Sequence, residues 1–400
     1  MDANEYNCGR MKLQVLLTKH LLWPALVVFG ALLFSAAPAA AQSPEPYSGA
    51  PLCQPDVFLV ESSECFAGGP SAVLTGLARD GMSYPLRPLP ARRPPVELTV
   101  SPVTLAKINL PATESAQVYA SLDDAVNGGS VTRTIAAGAL RYVSIINVSR
   151  VNDKPYVQLK TGEWMRASPA AYPLFQGLLF TRTPSNSFGW MVDHARARSA
   201  PGYNNPEVGD LLLRETAVQI YKVEAADGVE WYQIGPGQWM ERRYLRQVRI
   251  NTTPPTGVTG ARWIEVNLYD QTLSVYDQGQ LVFATMIASG GDPFFTRPGL
   301  FQVYQKKPLE TMQGAFEADR SDFYYLEDVP WTMYFDQARA LHGAYWRAWF
   351  GYAGTHGCVN LSIGDSAWLF NWAKEGDWVY VWDPSGQTPT DPSLYTAGGA

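Results

Sequence analysis

The chain has 400 residues, 46% of them hydrophobic, 12% aromatic and 17% charged, with a formal net charge of −6. That length allows two to four domains with real cores and excludes a disordered chain, and a mild acidic balance without a basic stripe argues against nucleic acid as a partner. With 34 Gly, 30 Pro, 13 Trp and 21 Tyr, the expected class is mainly β, built of short strands joined by turns.

At the N-terminus, Lys12, Lys19 and His20 precede the uncharged apolar run 21–34 (LLWPALVVFGALLF), and Ala39-Ala40-Ala41 then offers a small-x-small cleavage site. Basic, apolar, then small is the order of a secretory signal, so residues 1–41 read as a signal peptide and the rest of the chain as exported. Membrane anchoring follows only if that segment is not cut. Cys8 lies before the apolar run. Cys53 and Cys65, 12 apart in an exported chain, read as a disulfide closing a small loop, worth ~2–3 kcal/mol. Cys358 is left over, as an intermolecular bridge or a functional thiol. Around that loop, residues 42–110 are rich in Pro, Ala and Ser and read as linker.

A repeat follows. Residues 156–166 (YVQLKTGEWMR) and 231–241 (WYQIGPGQWME) match at Gln158/Gln233, Gly162/Gly237, Trp164/Trp239 and Met165/Met240, at a constant offset of 75. Upstream, AQVY ending at Tyr119 resembles VQIY ending at Tyr221 at an offset of 102, so the first copy carries about 27 extra residues. Alternating strands with a late Gly-x-Trp suggest small β-barrels over 111–170 and 171–249. These units resemble bacterial SH3-like modules, which implies either cell-wall peptide binding or a spacer role. His194, between charged residues, reads as a surface histidine.

Near residue 250 the chain changes character. NTTPPTGVTG is a linker, and RWIEVNLYD from Arg262 alternates with Ile264, Val266 and Leu268 on one face. TLSVY and LVFATMI follow as strands around an Asp277-Gln278-Gly279 turn, and Pro298-Gly299 turns into another strand. Ser362-Ile363-Gly364-Asp365 is a capping box opening a helix that Gly376-Asp377 ends, WVYVW closes the domain at 382, and 383–400 is a flexible tail.

Two of the chain's four histidines and one of its four cysteines fall within residues 340–362 (ALHGAYWRAWFGYAGTHGCVNLS). A nucleophilic thiol needs a base to take its proton, a group to orient that base, and N–H donors for the oxyanion. His342 precedes Cys358 by 16 residues, enough to leave a strand and return, and Gly357 permits a tight turn beside His356. The positive end of the helix near Ser362 should lower the thiol's pKa modestly. The aromatic residues Tyr345, Trp346, Trp349, Phe350 and Tyr352 read as packing on the sheet, with a lid over the site as the alternative. Zinc on His342, His356 and Cys358 lacks a clear fourth ligand.

The pairing of His342-Gly343 with Thr355-His356-Gly357-Cys358-Val359-Asn360 resembles the signature of L,D-transpeptidases, cysteine enzymes that cross-link bacterial peptidoglycan. One departure is Arg297, which intervenes in the turn before Pro298. The resemblance covers roughly 260–382 and implies a β-sandwich with one short helix after the catalytic cysteine. It implies Cys358 as nucleophile and His342 as general base, oriented by the carbonyl of Gly343. It further implies His356 and Asn360 as pocket residues, an oxyanion hole from N–H groups at 356–358, and substrate contacts from Asn360, Thr355 and Tyr334. The partners it implies are peptidoglycan stem peptides and the cell wall, with no cofactor and no metal. The alternatives are L,D-carboxypeptidase trimming of tetrapeptide stems, or a non-catalytic wall-binding protein.

Overall fold

The computed structural model describes residues 70–83, 86–317, 319–320 and 322–395. The expected signal and the Cys53–Cys65 loop lie outside them.

Two sheets face each other around the C-terminal core, which makes this part a β-sandwich. One sheet runs in the order Ala91–Arg92, Leu178–Phe180, Gln280–Met286, Thr272–Asp277, Arg262–Asn267, Trp378–Trp382, Gly299–Gln302. Its strands alternate as the sequence does, and Ile264, Val266, Leu273, Val275, Val379 and Val381 point inward. Across from them lie Met333, Phe335, Leu341, Val359 and Leu361 of the second sheet, with Leu369 of the helix Ile363–Trp372. Burying so many β-branched and aliphatic side chains is the main drive for this pairing.

The second sheet has a feature that composition does not reveal. Its C-terminal strands, Val359–Leu361, Arg339–Gly343 and Tyr324–Asp336, continue directly into Leu140–Val151 and Lys154–Leu159 of the first repeat. The joint is a short parallel pairing, Tyr324↔Leu140 through Leu326↔Tyr142. Glu327 reinforces it by accepting from Ser144 N at 2.9 Å and Tyr325 Oη at 2.6 Å. The described residues therefore fall in one compact unit instead of a string of separate modules.

The repeat itself is visible as two hairpins with one register. Tyr156↔Arg166, Val157↔Met165 and Gln158↔Trp164 recur as Trp231↔Glu241, Tyr232↔Met240 and Gln233↔Trp239. Gly162 and Gly237 take positive φ, 89° and 59°, at the equivalent turn position, which is the physical reason both copies carry Gly there. The upstream resemblance does not extend to pairing. Ala116–Tyr119 pairs with Trp164–Arg166, whereas Ala217–Ile220 pairs with Ser187–Met191.

Two stretches differ from expectation. Residues 86–110, read as linker, are in part built into the sheets. Ala91–Arg92 pairs with Leu178–Phe180, and Thr104–Lys107 pairs with Leu140–Val151, burying Leu105 and Ala106. The segment 383–395, read as flexible tail, is pinned by Tyr395, 2% exposed, whose carbonyl accepts from Arg339 Nη2 at 3.3 Å. Short apolar insertions such as these dock through tertiary contacts that local composition does not encode.

The helix Ile363–Trp372 starts as the capping box foresees on one side only. Ser362 Oγ accepts from Asp365 N at 3.2 Å. The Asp365 carboxylate instead accepts from Gly177 N at 2.8 Å and from Thr285 Oγ1 at 2.6 Å, tying the segment between the repeats to the sandwich. Burial pushes its pKa up to about 6 against those bonds. Asp365→Ala removes the acceptor of Gly177 N and Thr285 Oγ1 and is expected to cost about 2–4 kcal/mol in urea unfolding. A change below about 0.5 kcal/mol would show that the clamp does not stabilise the fold.

Candidate active site

Three residues of the signature meet because of strand register. Arg339–Gly343 and Val359–Leu361 pair in parallel, with Leu341↔Val359 and His342↔Asn360. Side chains alternate along a strand, so Leu341 and Val359 enter the core while His342, Asn360 and Cys358 share the opposite face. That face looks into a cavity of about 100 Å³, which His342, Cys358, Asn360, Thr355 and His356 all line. Tyr324, Leu326, Met312, Trp346 and Arg347 form further walls, and Leu140 of the first repeat completes one of them.

His342 is 2% exposed, and its Nδ1 lies 3.2 Å from the carbonyl oxygen of Gly343. With a proton on Nδ1 donated to that oxygen, Nε2 carries the lone pair a base needs. Cys358 is 9% exposed and reduced, with Sγ 3.7 Å from the carbonyl of Ala338. Burial pulls the imidazole down to about 4, opposed by the Gly343 carbonyl and assisted by the charge of Arg347. Burial likewise pushes the thiol up to about 11, opposed by a backbone bond from Ala340 and by Arg339. Burial thus shifts the thiol against the lowering expected from the helix start and leaves thiol and imidazole both neutral.

The other signature residues divide by role. Thr355 turns inward: Oγ1 donates to Cys358 O at 2.6 Å and accepts from Gly357 N at 3.2 Å. It therefore shapes the turn around the thiol, and it removes the Gly357 N–H from the set available to an oxyanion. Gly357 itself has φ 112°, a conformation that favours glycine. Thr296 holds the loop from the other side, donating to Gly357 O and accepting from Gly290 N, both at 2.8 Å. His356 packs with the rings of Phe316, 4.6 Å away, and Tyr324, 5.7 Å away, both close to parallel with it. Burial lowers its pKa, opposed by Asp322 and aided by Arg347.

Tyr334 pairs with Ala340, one strand from Cys358, but it does not line the cavity; its ring stacks on Tyr304 at 6.1 Å. Asn360 is 3% exposed and presents its side chain to the cavity. Arg297, the departure in the turn, grips Asp336 through Nε at 2.9 Å and through Nη2, and Asp336 also holds the buried Arg339. The aromatic group splits three ways. Tyr345 and Phe350 are core, Trp346 faces His342 at 5.6 Å, and Trp349 and Tyr352 take Arg214 and Arg246 over their rings. His194 is exposed. Among the described residues no three His, Cys, Asp or Glu are grouped to hold a metal ion.

Gly343 has no room for a side chain. A Cβ there would sit 2.6 Å from Ser366 Oγ and 3.2 Å from both Ile363 Cδ1 and Pro330 Cγ. Gly343→Ala is expected to lower stability by about 1–3 kcal/mol and to reduce turnover by displacing the carbonyl that orients His342. Thermal melting and steady-state kinetics on the same preparation check both parts.

Residues 261–381 match the YkuD family, the L,D-transpeptidase catalytic domain. No curated protein matches the chain. Among solved structures, the catalytic domain of the E. faecium L,D-transpeptidase is 28% identical over 32% of this chain and 100% of that one, with a TM-score of 0.28. The same domain acylated by ertapenem gives the same figures. An L,D-transpeptidase from Stackebrandtia nassauensis is 24% identical over 33% of this chain, with a TM-score of 0.26. The chain spans 59% of that protein's length.

Proposed function

Since residues 261–381 fall in the YkuD family of L,D-transpeptidase catalytic domains, we propose that the protein transfers acyl groups of peptidoglycan stem peptides through Cys358. The observation that carries this reading is the single cavity face shared by His342, Cys358 and Asn360, with the imidazole held through Nδ1 by Gly343 O.

In the first half-reaction Cys358 Sγ attacks the carbonyl of the third residue of a tetrapeptide stem. The S–C bond forms as the S–H proton passes to His342 Nε2. Because both groups rest neutral, transfer accompanies attack instead of preceding it. Backbone N–H groups of the turn other than that of Gly357 meet the oxyanion. The C–N bond then breaks, His342 gives its proton to the leaving amine, and D-Ala departs. In the second half an amine attacks the thioester, His342 takes its proton, and the thiol is regenerated; resolution by water gives the trimmed stem. The basic-apolar-small N-terminus supports placing this chemistry outside the cytoplasm, in a bacterial envelope.

The test is intact mass spectrometry of the purified protein incubated with a tetrapeptide stem. The expected result is an adduct equal to the stem less D-Ala, with D-Ala in solution. Ertapenem, which acylates the E. faecium domain, is a second probe, since its lactam carbonyl asks the same of a thiol. No adduct with either reagent would overturn the reading.

A further inference from the structure

Several arginines elsewhere in this fold meet a carboxylate. Arg339 meets Asp336 at 3.1 Å, Arg249 meets Asp270 at 2.7 Å and Arg262 meets Asp377 at 2.9 Å. Buried Arg141 has no carboxylate but donates to the carbonyls of Glu114, Ala136 and Pro111. Among the described residues Arg347 has no carboxylate partner. It is half-buried in the wall of the cavity that holds Cys358 and His342, and no Asp or Glu lines that cavity. Nη2 donates to Gly354 O at 2.8 Å, whereas Nε is buried with no acceptor among the described residues. Burial alone perturbs its titration, with no acidic group compensating. An unmatched guanidinium in a largely apolar cavity costs free energy unless a ligand supplies the anion, and a carboxylate fits its planar fork.

We infer that Arg347 is a subsite for the free C-terminal carboxylate of the donor peptide, in the cavity it shares with His342 and Cys358. The inference rests on the acyl transfer proposed above. Arg347, His342 and Cys358 line one cavity, so a donor seated there can meet all three. In the donor, the attacked carbonyl carbon is followed by the leaving nitrogen, which His342 protonates. Two covalent bonds further on comes the α-carboxylate of the departing residue. The anchor on Gly354 O fixes the guanidinium to the loop that carries Thr355 to Cys358. An enzyme so built acts only at the last residue of a stem.

The experiment compares two donors, a tetrapeptide ending in free D-Ala and the same peptide ending in D-Ala amide. The purified protein is expected to favour the acid by about 10–100-fold in kcat/KM. In Arg347→Met the ratio should collapse to within about threefold, and in Arg347→Lys, which keeps a point charge, much of it should return. A wild-type ratio near one, a Met variant that keeps the preference, or equal losses on both donors would overturn the subsite. A second readout needs no turnover: protection of Cys358 from iodoacetamide by each peptide. Protection by the acid at about tenfold lower concentration than the amide supports the subsite even if neither peptide is turned over, an outcome that defeats acyl transfer alone. Equal protection overturns the subsite while leaving acyl transfer standing.

Discussion

Cys358→Ala is expected to give no covalent adduct with a tetrapeptide stem and to cut D-Ala release by at least about 10⁴-fold. The substitution removes one sulfur from a site that is 9% exposed, and the thiol's contact with Ala338 O is long at 3.7 Å, so the fold should survive it. Circular dichroism and melting of the variant check that the loss is chemical. Cys358→Ser is a stricter version, because a hydroxyl fills the same space but is a poorer nucleophile and harder to ionise. An adduct on the alanine variant would place the nucleophile elsewhere and remove the basis of the mechanism.

His342→Gln should lower kcat by roughly 10³-fold, since the thiol loses its proton acceptor. It should also change the pH profile. In the wild type the base must be neutral, and burial holds its pKa near 4, so activity is lost only as pH falls through about 4. Without the imidazole, the residual rate should climb with pH toward the thiol's value of about 11. Stability gives an independent reading with a definite sign. His342 binds its proton at about 6.5 when unfolded and about 4 when folded, so between those values the unfolded state holds more protons. Stability therefore falls as pH drops through that window, by on the order of 3 kcal/mol from this residue. Asp365, raised to about 6 when folded, acts in the opposite sense over an overlapping range. The wild type and His342→Gln must consequently be compared at each pH by denaturant unfolding. Identical acid sensitivity in the two would show that the imidazole is not held neutral by burial.

Much of the site was legible because its chemistry demands particular residues at close spacing. His342-Gly343 lie on one short strand and Val359-Asn360 on another, with Thr355 to Cys358 in the turn before it, and a parallel register brings them together. The sandwich strands were legible for a similar reason, since alternation in Arg262–Asn267 and Trp378–Trp382 records which face is buried. What escaped depends on contacts far apart in sequence. Leu140 reaches the cavity only because Leu140–Val151 pairs with a strand about 180 residues later. Thr355 reads as a substrate contact in the motif, yet its hydroxyl is spent on Cys358 O and Gly357 N. The direction of the thiol's shift depends on how thoroughly it is buried, which no local pattern records. Arg297 interrupts the familiar turn, and its purpose appears only with Asp336, 39 positions on.

The parallel joint between Tyr324 and Leu140 ties the part that carries Cys358 to what precedes it. A fragment beginning near residue 260 would leave the backbone of 324–326 without its neighbour along one side and open one wall of the cavity to solvent. Such a bared margin invites pairing with other chains, so the excised piece should be sticky as well as slow. The repeat is thus not an exchangeable tether: wherever it is held, the reactive sulfur is held too, at a fixed reach.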